Sequence, residues 1–184
     1  MKKQFTLVMI TVHFALFGQT NITGSITQNT TWDISGSPYK ILSNINIESG
    51  STLNIEEGVE VQFFNFTRMQ VKGSIRASGS SQDPIKFTSL ASGGTWYGIK
   101  IDTSTSSKLQ FCQFSNVGNF YPALEINNVS NDTISNLEIS GGHSGILIQN
   151  SSNIYFENNI ILDLYSTDNY GTLTYGLKIN NCNN

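Results

Sequence analysis

The sequence predicts an all-β chain wound as a parallel solenoid, and three observations carry that prediction. A tetrapeptide of the pattern small, apolar, variable, apolar recurs as Gly98-Ile-Lys-Ile101, Ala123-Leu-Glu-Ile126, Gly145-Ile-Leu-Ile148 and Gly176-Leu-Lys-Ile179, its first residues 25, 22 and 31 positions apart. A short strand returning at such intervals is the signature of stacked coils, none of which can bury its apolar face alone. A second apolar segment begins 11, 11 and 9 residues after the first three tetrapeptides, at Leu109, Ile134 and Ile154. All these runs are short, rich in β-branched residues and bounded by Gly, Asn and Ser, which favours strands over helices. The Asn-Gly and Asp-Gly pairs that would close tight hairpins are absent, so neighbouring coils are expected to pair in parallel.

The elements follow in order. Residues 1–18 have the layout of a secretory signal peptide: Lys2 and Lys3, an apolar stretch from Phe5 to Phe17, then the small Gly18. That stretch of 13 residues, interrupted by Thr11 and His13, is too short to span a bilayer. No transmembrane segment is expected. Residues 19–38 read as an irregular amino-terminal cap, with Trp32 as its one large apolar group beyond the isoleucines, laid over the open end of the first coil. Residues 39–184 are the solenoid, entered through Tyr39-Lys-Ile-Leu42, Ile45-Asn-Ile47, Leu53-Asn-Ile55 and Val59-Glu-Val-Gln-Phe63. Met69-Gln-Val71, Ile75-Arg-Ala77 and Ile85-Lys-Phe87 continue the alternation, with Pro84 placed where a strand can begin. Each coil is expected to hold at least two short strands separated by polar turns.

Side chains alternate across a strand. Ile99/Ile101, Leu124/Ile126, Ile146/Ile148 and Leu177/Ile179 are therefore expected to share a dry interior. The opposite face then presents Lys100, Asp102, Glu125, Asn127, Gln149, Lys178 and Asn180, a candidate ligand face. One position further on, Asn128, Asn150 and Asn181 are expected to stack as a structural amide ladder.

Charged residues make up only 12% of the chain and the net charge is −3. Loss of Lys2 and Lys3 with the leader would leave eight basic against thirteen acidic residues, a net of −5. With no basic patch, nucleic acid is not an expected partner. Cys112 and Cys182 belong to coils begun at Gly98 and Gly176. Three rises of ~4.8 Å separate those coils by ~14 Å, beyond the ~7 Å that a disulfide can bridge. Two free thiols are expected.

A resemblance adds to this reading. Asn29-Thr-Thr-Trp32, Ser37-Pro-Tyr-Lys-Ile41, Gly50-Ser-Thr-Leu-Asn-Ile-Glu-Glu-Gly-Val59, Val71-Lys-Gly-Ser-Ile75, Pro84-Ile-Lys-Phe-Thr-Ser89 and Trp96-Tyr-Gly-Ile99 resemble the amino-terminal part of secreted bacterial right-handed parallel β-helix repeat proteins of the pectin-lyase-like superfamily. The resemblance implies a single-stranded right-handed parallel β-helix of about six coils and an extracellular or cell-surface location. Members of that superfamily include lyases, hydrolases, epimerases, adhesins and proteins of no known activity, so activity does not follow. It also implies further coils or a surface-sorting domain, because this chain stops part-way through a coil at Asn181-Cys-Asn-Asn184.

The chemistry in the sequence is sparse. Gly141-Gly-His-Ser-Gly-Ile146 faintly resembles the Gly-His-Gly element of polygalacturonase-type hydrolases, but the paired aspartates that chemistry needs are missing. His143 is instead expected to sit exposed on a Gly-rich turn. Asp102 and Glu125 are the other weak catalytic candidates, as the acidic groups on the outer face of the tetrapeptide sheet. Lys100 and Glu125 are expected to form an exposed cross-strand pair, with Arg68 and Arg76 remote from it. A calcium-dependent lyase would need more carboxylates, and a zinc or copper site lacks ligands. No cofactor or metal is expected. Alternation points Tyr97 and Tyr175 inward, whereas loops 116–122 and 166–172 are freer to bind, as excursions from a rigid scaffold. Two functions remain: a non-catalytic scaffold or binding module for polysaccharide or cell-surface glycan, or a fragment of a polysaccharide lyase or glycoside hydrolase with its catalytic coils beyond residue 184.

Overall fold

The computed structural model describes residues 18–104, 106–118, 120–165 and 174–183. Residues 1–17 of the expected leader and the whole of the candidate loop 166–172 lie outside the described residues. Every strand pairing is parallel, and the strands fall three to a coil. The first coil holds β1 (Thr20–Ile26), β2 (Thr30–Trp32) and the start of β3 (Tyr39–Ile47). The second holds the rest of β3, β4 (Thr52–Ile55) and β5 (Glu60–Phe63). Next come β6 (Met69–Val71), β7 (Ser74–Ser78) and β8 (Ile85–Ser89), then β9 (Ile99–Asp102), β10 (Lys108–Gln110) and β11 (Cys112–Ser115). The fifth coil is β12 (Pro122–Asn127), β13 (Thr133–Ser135) and β14 (Glu138–Ser140). The sixth is β15 (Ser144–Gln149), β16 (Tyr155–Glu157) and β17 (Ile160–Leu162), after which β18 (Leu177–Asn180) stacks on β15.

Three faces result. The first runs β3-β6-β9-β12-β15-β18, the second β2-β4-β7-β10-β13-β16, and the third β3-β5-β8-β11-β14-β17. Because β1 and β3 cross the corner, the first and third faces join into one 12-stranded sheet. The expected minimum of two strands per coil is met with three. The third is hard to separate in sequence because only two residues, Asn136 and Leu137, lie between β13 and β14, and a single left-handed residue turns the corner there (Asn136, φ 54°).

Register follows the tetrapeptides: Ile99, Leu124, Ile146 and Leu177 pair in series, as do Ile101, Ile126, Ile148 and Ile179. On the second face Trp32, Ile55, Ala77, Leu109, Ile134 and Phe156 form one inward column. Residues 19–38 are not an irregular cap. Ile22, Gly24 and Ile26 alternate along β1, and Trp32 lies inside the first coil, its ring 4.7 Å from that of Tyr39. The polar composition hid this because β1 is an end strand with intermediate or exposed residues throughout.

The asparagine richness has a conformational cause. Thr103, Asn128, Asn150 and Asn181 occupy one corner with φ of 58°, 52°, 51° and 51°, and Asn131, Asn153 and Asn158 turn others. Asparagine tolerates this left-handed region better than most residues. The amide ladder takes a different path from the expected one. Asn127 donates to Asp102 (3.2 Å), Asn150 to Asn127 (3.1 Å) and Asn181 to Asn150 (3.5 Å). Asn128 is exposed at the turn and joins through its backbone amide, which donates to the Gln149 carbonyl. Asn127, closing β12 on the outer face, is the side chain within reach of both neighbours.

Both cysteines are free. Burial pushes the Cys112 thiol well above its usual range. Beneath the first corner lies a buried polar column: the Ile75 amide donates to Ser107 Oγ (3.2 Å), and the Ser107 amide to Asp132 Oδ1 (2.8 Å). Asp132 Oδ2 has no partner among the described residues. Burial raises this carboxyl to about 6, against the Ser107 hydrogen bond that lowers it.

Two predictions follow from these contacts. Gly98 has φ +74°, and a Cβ there would stand 2.2 Å from the Pro122 carbonyl oxygen. Gly98→Ala should cost about 1–3 kcal/mol by urea unfolding, and more than Gly50→Ala, where φ is +84° but nothing lies within 4 Å. Equal losses at the two sites would mean that close strand approach is not the constraint. For Asp132 the folded state binds the extra proton, so its contribution is present near pH 4 and is lost as pH rises through about 6. Relative to the parent, Asp132→Asn should therefore gain stability between pH 4 and 8, by up to roughly 3 kcal/mol. A pH-independent difference would contradict that assignment.

Candidate functional site

The outer side of the first face gathers the charges that the sequence scatters. In-register pairing sets Gln70, Lys100, Glu125, Leu147 and Lys178 in one row, with Asp102, Asn127, Gln149 and Asn180 in the next. Lys100 Nζ stands 3.1 Å from Glu125 Oε1 and 3.5 Å from Asp102 Oδ2. Arg68 is not remote: its guanidinium lies 2.5 Å from Glu125 Oε2. Gly98 occupies the register position between Arg68 and Ala123, and having no side chain it leaves the long arginine an open path across β9. The pair expected to be exposed is largely covered. Glu125 is only 9% exposed, because Arg68 and Lys100 close over its two oxygens.

An aromatic strip borders this row. Phe66, Tyr97 and Tyr121 stand in successive turns just before β6, β9 and β12, with ring centres 5.6 Å and then 4.7 Å apart. Arg68 lies 4.9 Å above the Tyr121 ring and so ties the strip to the ion cluster. Phe66 is 62% exposed, and Tyr97 and Tyr121 are half-buried. Tyr97 thus lies outside the core, against the inward expectation. The positive φ of Gly98 breaks the alternation, and Trp96 goes inside instead, 4.0 Å from the Phe63 ring. Tyr175 is also half-buried rather than inward, with the Lys178 ammonium 5.7 Å from its ring. Burial, then the Glu125 charge, raises its hydroxyl, while a hydrogen bond with Ser144 opposes the shift.

His143 is buried, not exposed, and its Nδ1 is 3.0 Å from Ser144 Oγ. The next coil passes over the turn, with the Tyr165 amide donating to the Gly142 carbonyl. In this closed position neither His143 nor Ser144 is presented to an external substrate. Asp102 and Glu125 are brought to one cluster through Lys100. Arg76 belongs to another face. Tyr121 lies in the loop 116–122 that the sequence marks as free to bind, but spacing alone does not set Arg68 beside it or Phe66 in the same strip. A signal existed: an aromatic precedes the anchors Met69, Ile99, Leu124 and Leu177 by two or three residues, and His143 holds that place before Ile146.

Among the described residues no three His, Cys, Asp or Glu side chains converge to hold a metal ion. No helix among them is long and apolar enough to cross a membrane.

Coils of this kind define a class, and comparison with known proteins places the chain within it. Residues 74–184 match the family described as a right handed beta helix region, and residues 24–121 match a pectate-lyase like beta helix domain. The chain belongs to the right-handed parallel β-helix family. One solved structure, from Parabacteroides merdae and provisionally described as a glycosyl hydrolase, aligns at 12% identity over 82% of this chain and 85% of that one, with a TM-score of 0.29. That score is too low for any property to pass between the two. No curated protein matches the chain.

The ion cluster makes its own prediction. Glu125→Gln leaves Arg68 and Lys100 without their shared counter-charge and should cost about 1–3 kcal/mol, between the values for exposed and buried pairs. A double-mutant cycle with Arg68→Gln checks it. Additive losses would mean that the two groups do not couple.

Proposed function

We propose that this protein is a non-catalytic β-helix scaffold that works outside the cell and binds glycan along its first face. The observation that carries the reading is the Phe66–Tyr97–Tyr121 strip beside the row of Lys100, Glu125, Asn127 and Gln149. Aromatic rings offer apolar faces to sugar rings, and amide and charged groups at fixed strand spacing offer partners for hydroxyls. The strip is also held in place: Arg68 packs on Tyr121 and is itself fixed by Glu125. Preorganised groups lose little entropy on binding.

Each oxygen of Glu125 already faces a cation, and His143 is enclosed. Both arrangements suit a rigid surface better than proton transfer. The leader-like residues 1–18 support export.

Titration of the full chain against a panel of neutral and acidic oligosaccharides tests the reading. Binding should be detectable and should fall about tenfold or more in the Tyr97→Ala/Tyr121→Ala double variant, from the loss of two stacking rings. Absence of binding across the panel, or binding indifferent to the double variant, would remove the reading. New reducing ends or unsaturated products, with or without calcium, that vanish in Glu125→Gln would replace it with catalysis.

A further inference from the structure

The second face carries an arrangement that the first-face reading does not use. Arg76 on β7 and Lys108 on β10 stand directly opposite each other in register, in the outward row that runs Asn54, Arg76, Lys108, Thr133, Tyr155. Like charges at directly paired cross-strand positions repel and weaken the sheet. Elsewhere such charges are neutralised, as Arg68 and Lys100 are by Glu125. Here they are not. Among the described residues neither Arg76 nor Lys108 has a carboxylate within 4.0 Å or a side-chain hydrogen bond.

The two cations share a groove of about 700 Å³, which Asn54, Ser106, Asn131 and Thr133 help to line. A second groove of about 360 Å³ adjoins it, sharing Arg76 and Ser106 and adding Lys72. The larger groove crosses four consecutive strands, from β4 to β13, which is roughly 14 Å at the spacing of parallel strands. A shape elongated along the solenoid axis fits a segment of polymer better than a compact ion. In a chain of net charge −3, two unpaired cations held side by side are a local exception to the overall field.

We infer that this groove binds an acidic polysaccharide, with Arg76 and Lys108 together receiving one sulfate or carboxylate group and the neutral side chains around them meeting sugar hydroxyls. Guanidinium and ammonium groups on adjacent strands can share the oxygens of a single oxyanion. The carboxylates of Glu56 and Glu57 also line the groove. They can accept from hydroxyls but repel a continuous polyphosphate, which separates a glycan with spaced charges from a nucleic acid. The inference stands apart from the aromatic strip and does not need it, since none of the groove residues belongs to the first face.

The test uses the full chain and four probes: dextran sulfate, carboxymethyl-dextran, unmodified dextran and single-stranded DNA. One or both acidic dextrans should bind, with affinity that falls as salt rises, and unmodified dextran should not bind at this groove. Which of the two binds more tightly identifies the anionic group. Arg76→Gln/Lys108→Gln should weaken that binding at least tenfold, while Lys86→Gln, which removes one exposed charge on the third face, should leave it unchanged. Removing two opposed like charges should also keep or raise the melting temperature, so the variant is expected to fold. If it does not, Lys108→Gln alone carries the comparison. Affinity for the acidic dextrans unaltered by these substitutions, an equal loss of unmodified-dextran binding in the Arg76→Gln/Lys108→Gln variant, or DNA bound as tightly as the acidic dextrans would each overturn the inference.

Discussion

One coil of this protein is a single strand thick and cannot enclose anything. Its inward side chains become a core only when the coil above and the coil below set equivalent side chains directly over and under them. In-register parallel stacking is therefore the constraint on which the rest depends. It is seen in the columns Ile99–Leu124–Ile146 and Trp32–Ile55–Ala77–Leu109–Ile134, fully or almost fully buried. Large rings obey it as well. Phe87 and Phe114, paired in register, have ring centres 5.0 Å apart, close to the spacing of adjacent strands. A slip of one residue would turn every column inside out.

The same registration organises the surface. Side chains far apart in the chain become neighbours because their strands are neighbours: Arg68 reaches Glu125 across 57 positions, and Arg76 meets Lys108 across a single strand spacing. On the first face the columns bring opposite charges together and close them over one another, next to aromatic rings. On the second face they bring like charges together and leave them open. One fold thus offers two surfaces of different chemistry, with the rigid stack holding both in place.

What the sequence reveals and what it hides divide along a physical line. Columns repeat, so Leu124 over Ile99 and Ile146 over Leu124 can be read from spacing alone, and parallel pairing follows from the missing hairpin turns. Corners do not repeat so plainly. A single residue at positive φ, such as Gly98 or Asn136, changes which way the chain faces. That is why Tyr97 lies outside where alternation sends it in, and why spacing sets only a minimum of two strands per coil. Asn127 takes the ladder place expected of Asn128 for a related reason, since it is the last outward residue before the corner. Long side chains escape spacing arguments too, because Arg68 spans two strands. The burial of His143 depends on the following coil passing over it, which no local pattern around Gly141 and Gly142 reports. The end strand β1 is hard to read from sequence because one of its edges has no neighbour among the described residues to demand apolar side chains.

Cross-linking between coils reports registration most directly. In a chain carrying Cys182→Ser, cysteines introduced at Asn127 and Gln149, which are paired in register, should oxidise readily to an intramolecular disulfide, since parallel neighbours stand ~4.8 Å apart. Cysteines at Asn127 and Leu147, offset by two residues along the strand, should fall beyond the ~7 Å limit and remain reduced. Cross-linking of the offset pair in preference to the paired one would contradict the stacking from which the core and both surfaces are built.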